Sequence, residues 1–96
     1  MKMVLIAYNE AIDEEVMEVL EASGVQGHSK WTRVLGRGEA SGPHLATPVW
    51  PKANNVFMIG VTEEQATQIL DGVRALRRTL GAEGVKAFTW NVEDAT

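Results

Sequence analysis

The sequence predicts an α+β fold of one domain, and three observations carry it. Two amphipathic helical patterns are separated by two strand-like runs, a third strand-like run opens the chain, and a fourth closes it. The order is therefore β-α-β-β-α-β. With 96 residues, the chain has room for a single hydrophobic core.

Met3 to Tyr8 is a compact apolar run of strand length and reads as a central strand buried on both faces. From Ile12 the period changes. Ile12, Val16, Val19 and Leu20 line one side of a helix, while Asp13, Glu14, Glu15, Glu18 and Glu21 take the other. Its acidic first turn suits the positive end of the helix dipole, and Gly24 is placed to stop it in a left-handed cap.

"GHSKWTRVLGR" alternates loosely, with Trp31, Val34 and Leu35 as apolar anchors. The next strand is clearest from Asn55 to Val61, because Pro48 and Pro51 would each remove a ladder donor and belong at an edge or outside pairing. Thr62 followed by Gln65 forms a capping box that opens the second helix. Ala66, Ile69, Leu70, Val73, Leu76 and Leu80 make its buried stripe. Arg74, Arg77 and Arg78 collect at its C-terminal end as a solvated basic cluster, and Gly81 and Gly84 end it. "VKAFTWNV" is the last strand.

Such an order defines the split βαβ, or ferredoxin-like, sandwich: a four-stranded antiparallel sheet with two helices on one face. Valine, methionine, tryptophan and phenylalanine on the other face imply self-association.

Composition narrows the function. A net charge of −4 speaks against a nucleic-acid-binding protein, which would carry a basic surplus. Cysteine is absent, so disulfides and thiolate metal sites are excluded. The N-terminal apolar run leads into "DEEVMEVLE" where a cleavage site would stand, and no stretch approaches the length of a membrane span, so a cytoplasmic location is expected. No serine, histidine and acid stand in triad context, and an enzyme is not expected.

"LGRGEASGPH", Leu35 to His44, exceeds a hairpin turn in length. Its glycines allow close approach of backbone to a bound group, or simply a solvated surface loop. His28 and His44, together with Glu39, make a nitrogen and oxygen set suited to zinc, copper or nickel, though each histidine alone more often serves as a surface or hydrogen-bonding residue.

"EVLEASGVQGHSKWTRVLGRG" resembles the segment of P-II signalling proteins typified by "LGVQGMTVTEVRGFGR", with "GVQG" at Gly24 to Gly27, Thr32 to Gly36 and the Gly36-x-Gly38 pair falling into the pattern without a gap. "KAFTWNVEDA", Lys86 to Ala95, is similar to the family's last core strand, "KIFVLPVEDA". The resemblance implies a homotrimer that senses a small effector in clefts between subunits and controls a partner protein, such as a membrane transporter or an enzyme, through the loop after the second strand. That loop, residues 36–48, is expected to be flexible; it is short for the family and lacks its modifiable tyrosine.

On the matching positions the resemblance implies a ligand-binding set of Thr32, Gly36, Arg37, Gly38, Arg78, Gly84 and Lys86. Departures accompany it. Glu39 and Ala40 stand where the family's "GFGRQ" supplies an arginine and a glutamine near nucleotide phosphates, "GAEGVK" replaces the "GDGK" turn, and the sequence given ends at Thr96 without the basic tail. A carboxylate beside a triphosphate repels it, so weak or absent ATP binding is expected, with Arg37, Arg78 and Lys86 as replacement cations. The cofactor stays open between an adenine nucleotide and a divalent metal, the latter on the pattern of the trimeric divalent-cation-tolerance proteins of the same superfamily.

Overall fold

The computed structural model describes residues 1–36, 53–80 and 84–96. It contains β1 (Lys2–Asn9), a 3-10 turn (Glu10–Ile12), α1 (Asp13–Ala22), β2 (Ser29–Val34), β3 (Asn54–Val61), α2 (Glu63–Thr79) and β4 (Val85–Asn91). The strands form one antiparallel sheet in the order β2-β3-β1-β4. This is the ferredoxin-like sandwich expected from the sequence.

Alternation along the strands separates two faces. Val4, Ile6 and Tyr8 of β1 and Phe57, Ile59 and Val61 of β3 point into the core, where they meet Val16 and Leu20 of α1 and Ala66, Ile69 and Val73 of α2. Met3, Leu5 and Ala7 point the other way and are only half-buried. The expectation that β1 is buried on both faces is therefore corrected for the single chain: two helices cover one side of the sheet, and the other is open. On that open side Trp31, Phe88 and Trp90 are 49%, 50% and 44% exposed.

Asn9 starts the 3-10 turn by accepting a hydrogen bond from the Ala11 amide, and α1 follows with Asp13, Glu14 and Glu15 in its first turn. Gly24 has the left-handed φ of +72° that its place in the sequence requires, and the Val25 amide closes back on the Leu20 carbonyl at 3.1 Å.

The capping box is present in full: the Gln65 amide donates to the Thr62 hydroxyl, and the Thr62 amide to Gln65 Oε1, each at 3.1 Å. Gln65 Nε2 also donates to the carbonyls of Ser23 and Gly24, joining the start of α2 to the end of α1. Thr62→Ala removes the cap acceptor and is expected to lower the unfolding free energy by about 1 kcal/mol in a urea titration, with the slope unchanged.

The stripe of α2 divides into buried Ala66, Ile69 and Val73 and partly buried Leu70, Leu76 and Leu80. The helix ends at Thr79 with Leu80 as its cap; Gly81 lies outside the described residues, as do Pro48 and Pro51. Arg74 pairs with Asp71 at 2.9 Å on open surface, a contact of small energetic weight. Arg77 corrects the reading of a purely solvated basic end, since its Nη1 donates to the Val85 carbonyl at 2.7 Å and ties α2 to β4.

β2 holds a further correction. Trp31 pairs with Val56 and Val34 with Asn54, so Thr32 and Arg33 both stand opposite Asn55, a bulge in which Arg33 takes a φ of +56°. The interval from Gly27 to Gly36 is one residue longer than the glycine-to-glycine interval in "GMTVTEVRG". The match is thus not free of a gap, and β2 carries its bulge within that interval. Trp31 is no inward anchor either; it lies on the open face, and Leu35, past the end of the strand, is 76% exposed.

Candidate effector site

Antiparallel pairing brings four chain positions to one end of the sheet. β1 and β2 finish there, and β3 and β4 begin there: Asn9 pairs with Asn54, Tyr8 with Val85, and Val34 with Asn54. Residues 36 and 84 therefore stand at the two edges of the same rim. The order β2-β3-β1-β4 sets the two edge strands about 14 Å apart at the usual strand spacing.

Gly36 sits against Asn54, and a Cβ on it would lie 2.5 Å from Asn54 Nδ2. A larger residue there would require the Asn54 amide to turn aside. Gly84 presents its carbonyl to the Asn9 amide at 2.9 Å, and the Glu10 amide donates to the Ala53 carbonyl at 3.1 Å, closing the rim. Arg78 lies in the last turn of α2, which ends toward this rim, and Lys86 follows on β4 with its ammonium 5.9 Å from the Phe88 ring centre. Thr32 is exposed on the β2 edge. Of the expected ligand-binding residues, Gly36, Arg78, Gly84 and Lys86 gather at this end, with Thr32 on the adjoining edge. Arg37 and Gly38 lie outside the described residues, as does nearly all of residues 36–48.

Of the expected metal set, His28 packs edge-on against Phe57 with ring centres 5.0 Å apart. Glu39 and His44 lie outside the described residues, among which no three histidine, aspartate or glutamate side chains gather.

Beside the rim, on the helix side of β2, stands a polar group that the sequence pattern did not reveal. Asp13 Oδ1 accepts from the Tyr8 hydroxyl and from Asn55 Nδ2 at 3.2 Å, and pairs with Lys30 Nζ at 2.8 Å. Lys30 also lies 5.2 Å from the centre of the Phe57 ring, on which Tyr8 stacks at 5.8 Å. Burial pushes the Asp13 carboxyl up, but the bonds from Lys30, Tyr8 and Asn55 outweigh it and hold the group below the usual carboxylate value. Burial, reinforced by the bond to Asp13, raises the Tyr8 hydroxyl well above an ordinary phenol. Asn55 is 5% exposed, and its Oδ1 has no hydrogen-bond partner.

The frame is thus a ferredoxin-like sheet with two helices on one face, an open apolar face on the other and a glycine-bearing rim. The family model described as "Nitrogen regulatory protein P-II" matches residues 1–96, and the chain belongs to that family. It is a P-II-like regulatory signalling protein.

Among solved structures, it is similar to CPII, a nitrogen regulatory PII-like protein from Thiomonas intermedia K12 bound to ADP, AMP and bicarbonate. The TM-score is 0.72 at 20% identity, over 99% of this chain and 92% of that one. A putative PII-like signaling protein from Thermus thermophilus superposes with a TM-score of 0.65 at 25% identity, over 95% and 85% of the two chains. The apo form of the Thiomonas protein gives 0.66 at 18% identity, over 95% and 89%. None of the curated protein sequences matches the chain. Among the described residues no helix is long and apolar enough to cross a membrane.

Proposed function

We propose that this protein is a trimeric effector sensor that takes a small ligand into clefts between subunits and controls a partner, such as a membrane transporter or an enzyme, through residues 36–48. The observation that carries the reading is the convergence of both loop bases, Gly36 and Gly84, on the rim beside an exposed apolar sheet face. Thr32, Gly36, Arg37, Gly38, Arg78, Gly84 and Lys86 contact the ligand. The protein performs no reaction of its own and works in the cytoplasm.

The Thiomonas relative, bound to ADP, AMP and bicarbonate, supports an adenine nucleotide and a small oxyanion as the effector classes. Glu39 and Ala40 favour the diphosphate or monophosphate over ATP, since fewer negative charges then face the Glu39 carboxylate. A divalent metal on His28, Glu39 and His44 is the other ligand class in the test.

Thermal unfolding with ADP, ATP, bicarbonate and zinc decides among them, because a ligand selective for the folded state raises the midpoint by mass action. ADP or bicarbonate is expected to raise it, ATP to act only at high concentration, and hydrogen exchange over residues 36–46 to slow with the effective ligand. For an anion, Arg37→Ala abolishes that slowing and His44→Ala spares it; for zinc the two exchange roles. Low-micromolar ATP binding lost in Arg37→Ala would overturn the reading of Glu39 and Ala40. A monomer by light scattering that answers to none of the ligands would overturn the sensor itself.

A further inference from the structure

The helix layer carries a surface that neither the sheet nor the rim uses. α2 begins beside the end of α1, where Gln65 Nε2 reaches the carbonyls of Ser23 and Gly24, so the two helices run antiparallel. Between them lies an open groove of about 510 Å³. Its floor is apolar: Val19 comes from α1 and Leu76 from α2, both partly buried, and the helices approach so closely at Gly72 that a Cβ there would strike Val19. Ala22 and Ala75 flank the floor with exposed methyl groups, too short to fill the space.

One wall is charged. Glu15 and Glu18 stand one turn apart on the α1 side, and α1, Asp13–Ala22, contains no lysine or arginine. Glu14, Glu15 and Glu21 lie three or four positions from Glu18, spacings at which like charges repel, and Glu21 sits in the last turn, at the negative end of the dipole. Among the described residues the salt bridges of Lys30 with Asp13 and of Arg74 with Asp71 leave these four glutamates without a cation. Their repulsion serves no contact within the described chain. A cationic element laid along the groove would relieve it.

Shape selects the kind of element. The groove is open to solvent and does not enclose a small molecule, whereas two antiparallel helices leave a trough into which a third helix fits, with anchors at i, i+3 or i+4 and i+7. We propose that the groove between α1 and α2 docks a helix of a partner protein, with leucine-sized anchors on Val19, Gly72 and Leu76 and lysines or arginines one turn apart on Glu15 and Glu18. This surface lies across the sheet from Trp31, Phe88 and Trp90, so it stays accessible in an assembly that covers the open face. The inference goes beyond the effector-sensor reading and needs neither the effector nor residues 36–48.

Anisotropy titrations of the full chain into a fluorescent synthetic peptide of about 18 residues, leucine on one helical face with lysines flanking it, test the proposal. The same peptide with glutamate in place of lysine is the control. The lysine peptide is expected to bind at least about tenfold more tightly than the glutamate peptide. Glu15→Gln combined with Glu18→Lys is expected to melt no lower than wild type, because repulsion within α1 is relieved, and to lose that preference. Ala75→Phe leaves the charge unchanged and fills the groove from an exposed position; it is expected to weaken the lysine peptide about tenfold as well.

Equal binding of the two peptides to wild type would overturn the proposal. So would full affinity in Ala75→Phe, which would reduce the attraction to charge without a groove. Hexylamine that bound as tightly as the lysine peptide, and competed with it, would make the groove a small-molecule site instead. All of these titrations run without effector, so their failure leaves the sensor reading standing.

Discussion

Trp90→Asp is expected to convert the assembled protein into single chains, read by light scattering as a fall to one third of the wild-type mass. Trp90 faces Met3 across the β1–β4 pairing, and Phe88 faces Leu5 in the same row of the open sheet face. Trp31 adjoins Val56 on the far edge. Their exposures of 44%, 50% and 49% in the single chain leave roughly 100 Å² of each aromatic side chain for an interface, worth about 2–3 kcal/mol per residue once covered. Aspartate forfeits that burial and adds the desolvation of a charge. In a cyclic trimer the loss recurs at each subunit, so the association constant falls by several powers of ten. The core cluster of Val4, Ile6, Phe57 and Ile69 does not include Trp90, and the far-ultraviolet circular dichroism is expected to survive while ligand response in the clefts disappears. Phe88→Glu is the companion variant and has the same expected outcome. A wild-type protein that is already monomeric would remove the basis of both.

The architecture was legible in the sequence because its signals are local. The capping box needs only Thr62 and Gln65, and the left-handed cap needs only Gly24 after an amphipathic run. Periodicity distinguished α1 and α2 from the strands, and the alternation of element types then left few topologies. What escaped was set by distance along the chain. Asp13 reads as one more acid on a solvated helix, yet it is joined to an asparagine 42 positions away. Gly72 drew no reading from its position in the α2 pattern, and a Cβ there would stand 2.7 Å from Val19 Cγ1, at the contact between the helices. The bulge lies within the interval from Gly27 to Gly36, which is one residue longer than in the family's typical form, and its left-handed Arg33 has no signature in residue type. Within the rim, glycine at 36 was recognisable as a motif position, but its neighbour, the Asn54 side chain, lies at the far end of the connection.

Asp13→Ala is expected to lower the unfolding free energy by about 2–3 kcal/mol at neutral pH, the largest effect of any substitution of a charged side chain in the described structure. Three donors converge on this carboxylate: the Tyr8 hydroxyl, Asn55 Nδ2 and Lys30 Nζ. Removing it strands the first two in a buried setting, where each unmet polar group costs about 1–3 kcal/mol. The pair with Lys30 contributes less, because the two side chains are 27% and 34% exposed and solvent screens them. The pH dependence separates this account from a mere packing defect. The folded Asp13 titrates below its unfolded value, so its stabilisation is fully present above the unfolded pKa of about 4 and is lost as pH falls through the lower folded value. Wild type and Asp13→Ala should therefore differ most at neutral pH and converge in strong acid. Asp13→Asn keeps the volume and one acceptor but not the charge, and should fall between them at neutral pH. A gap between wild type and Asp13→Ala that stayed constant down through the acid range would mean that Asp13 acts through shape alone, and that the charge at the heart of this polar group is idle.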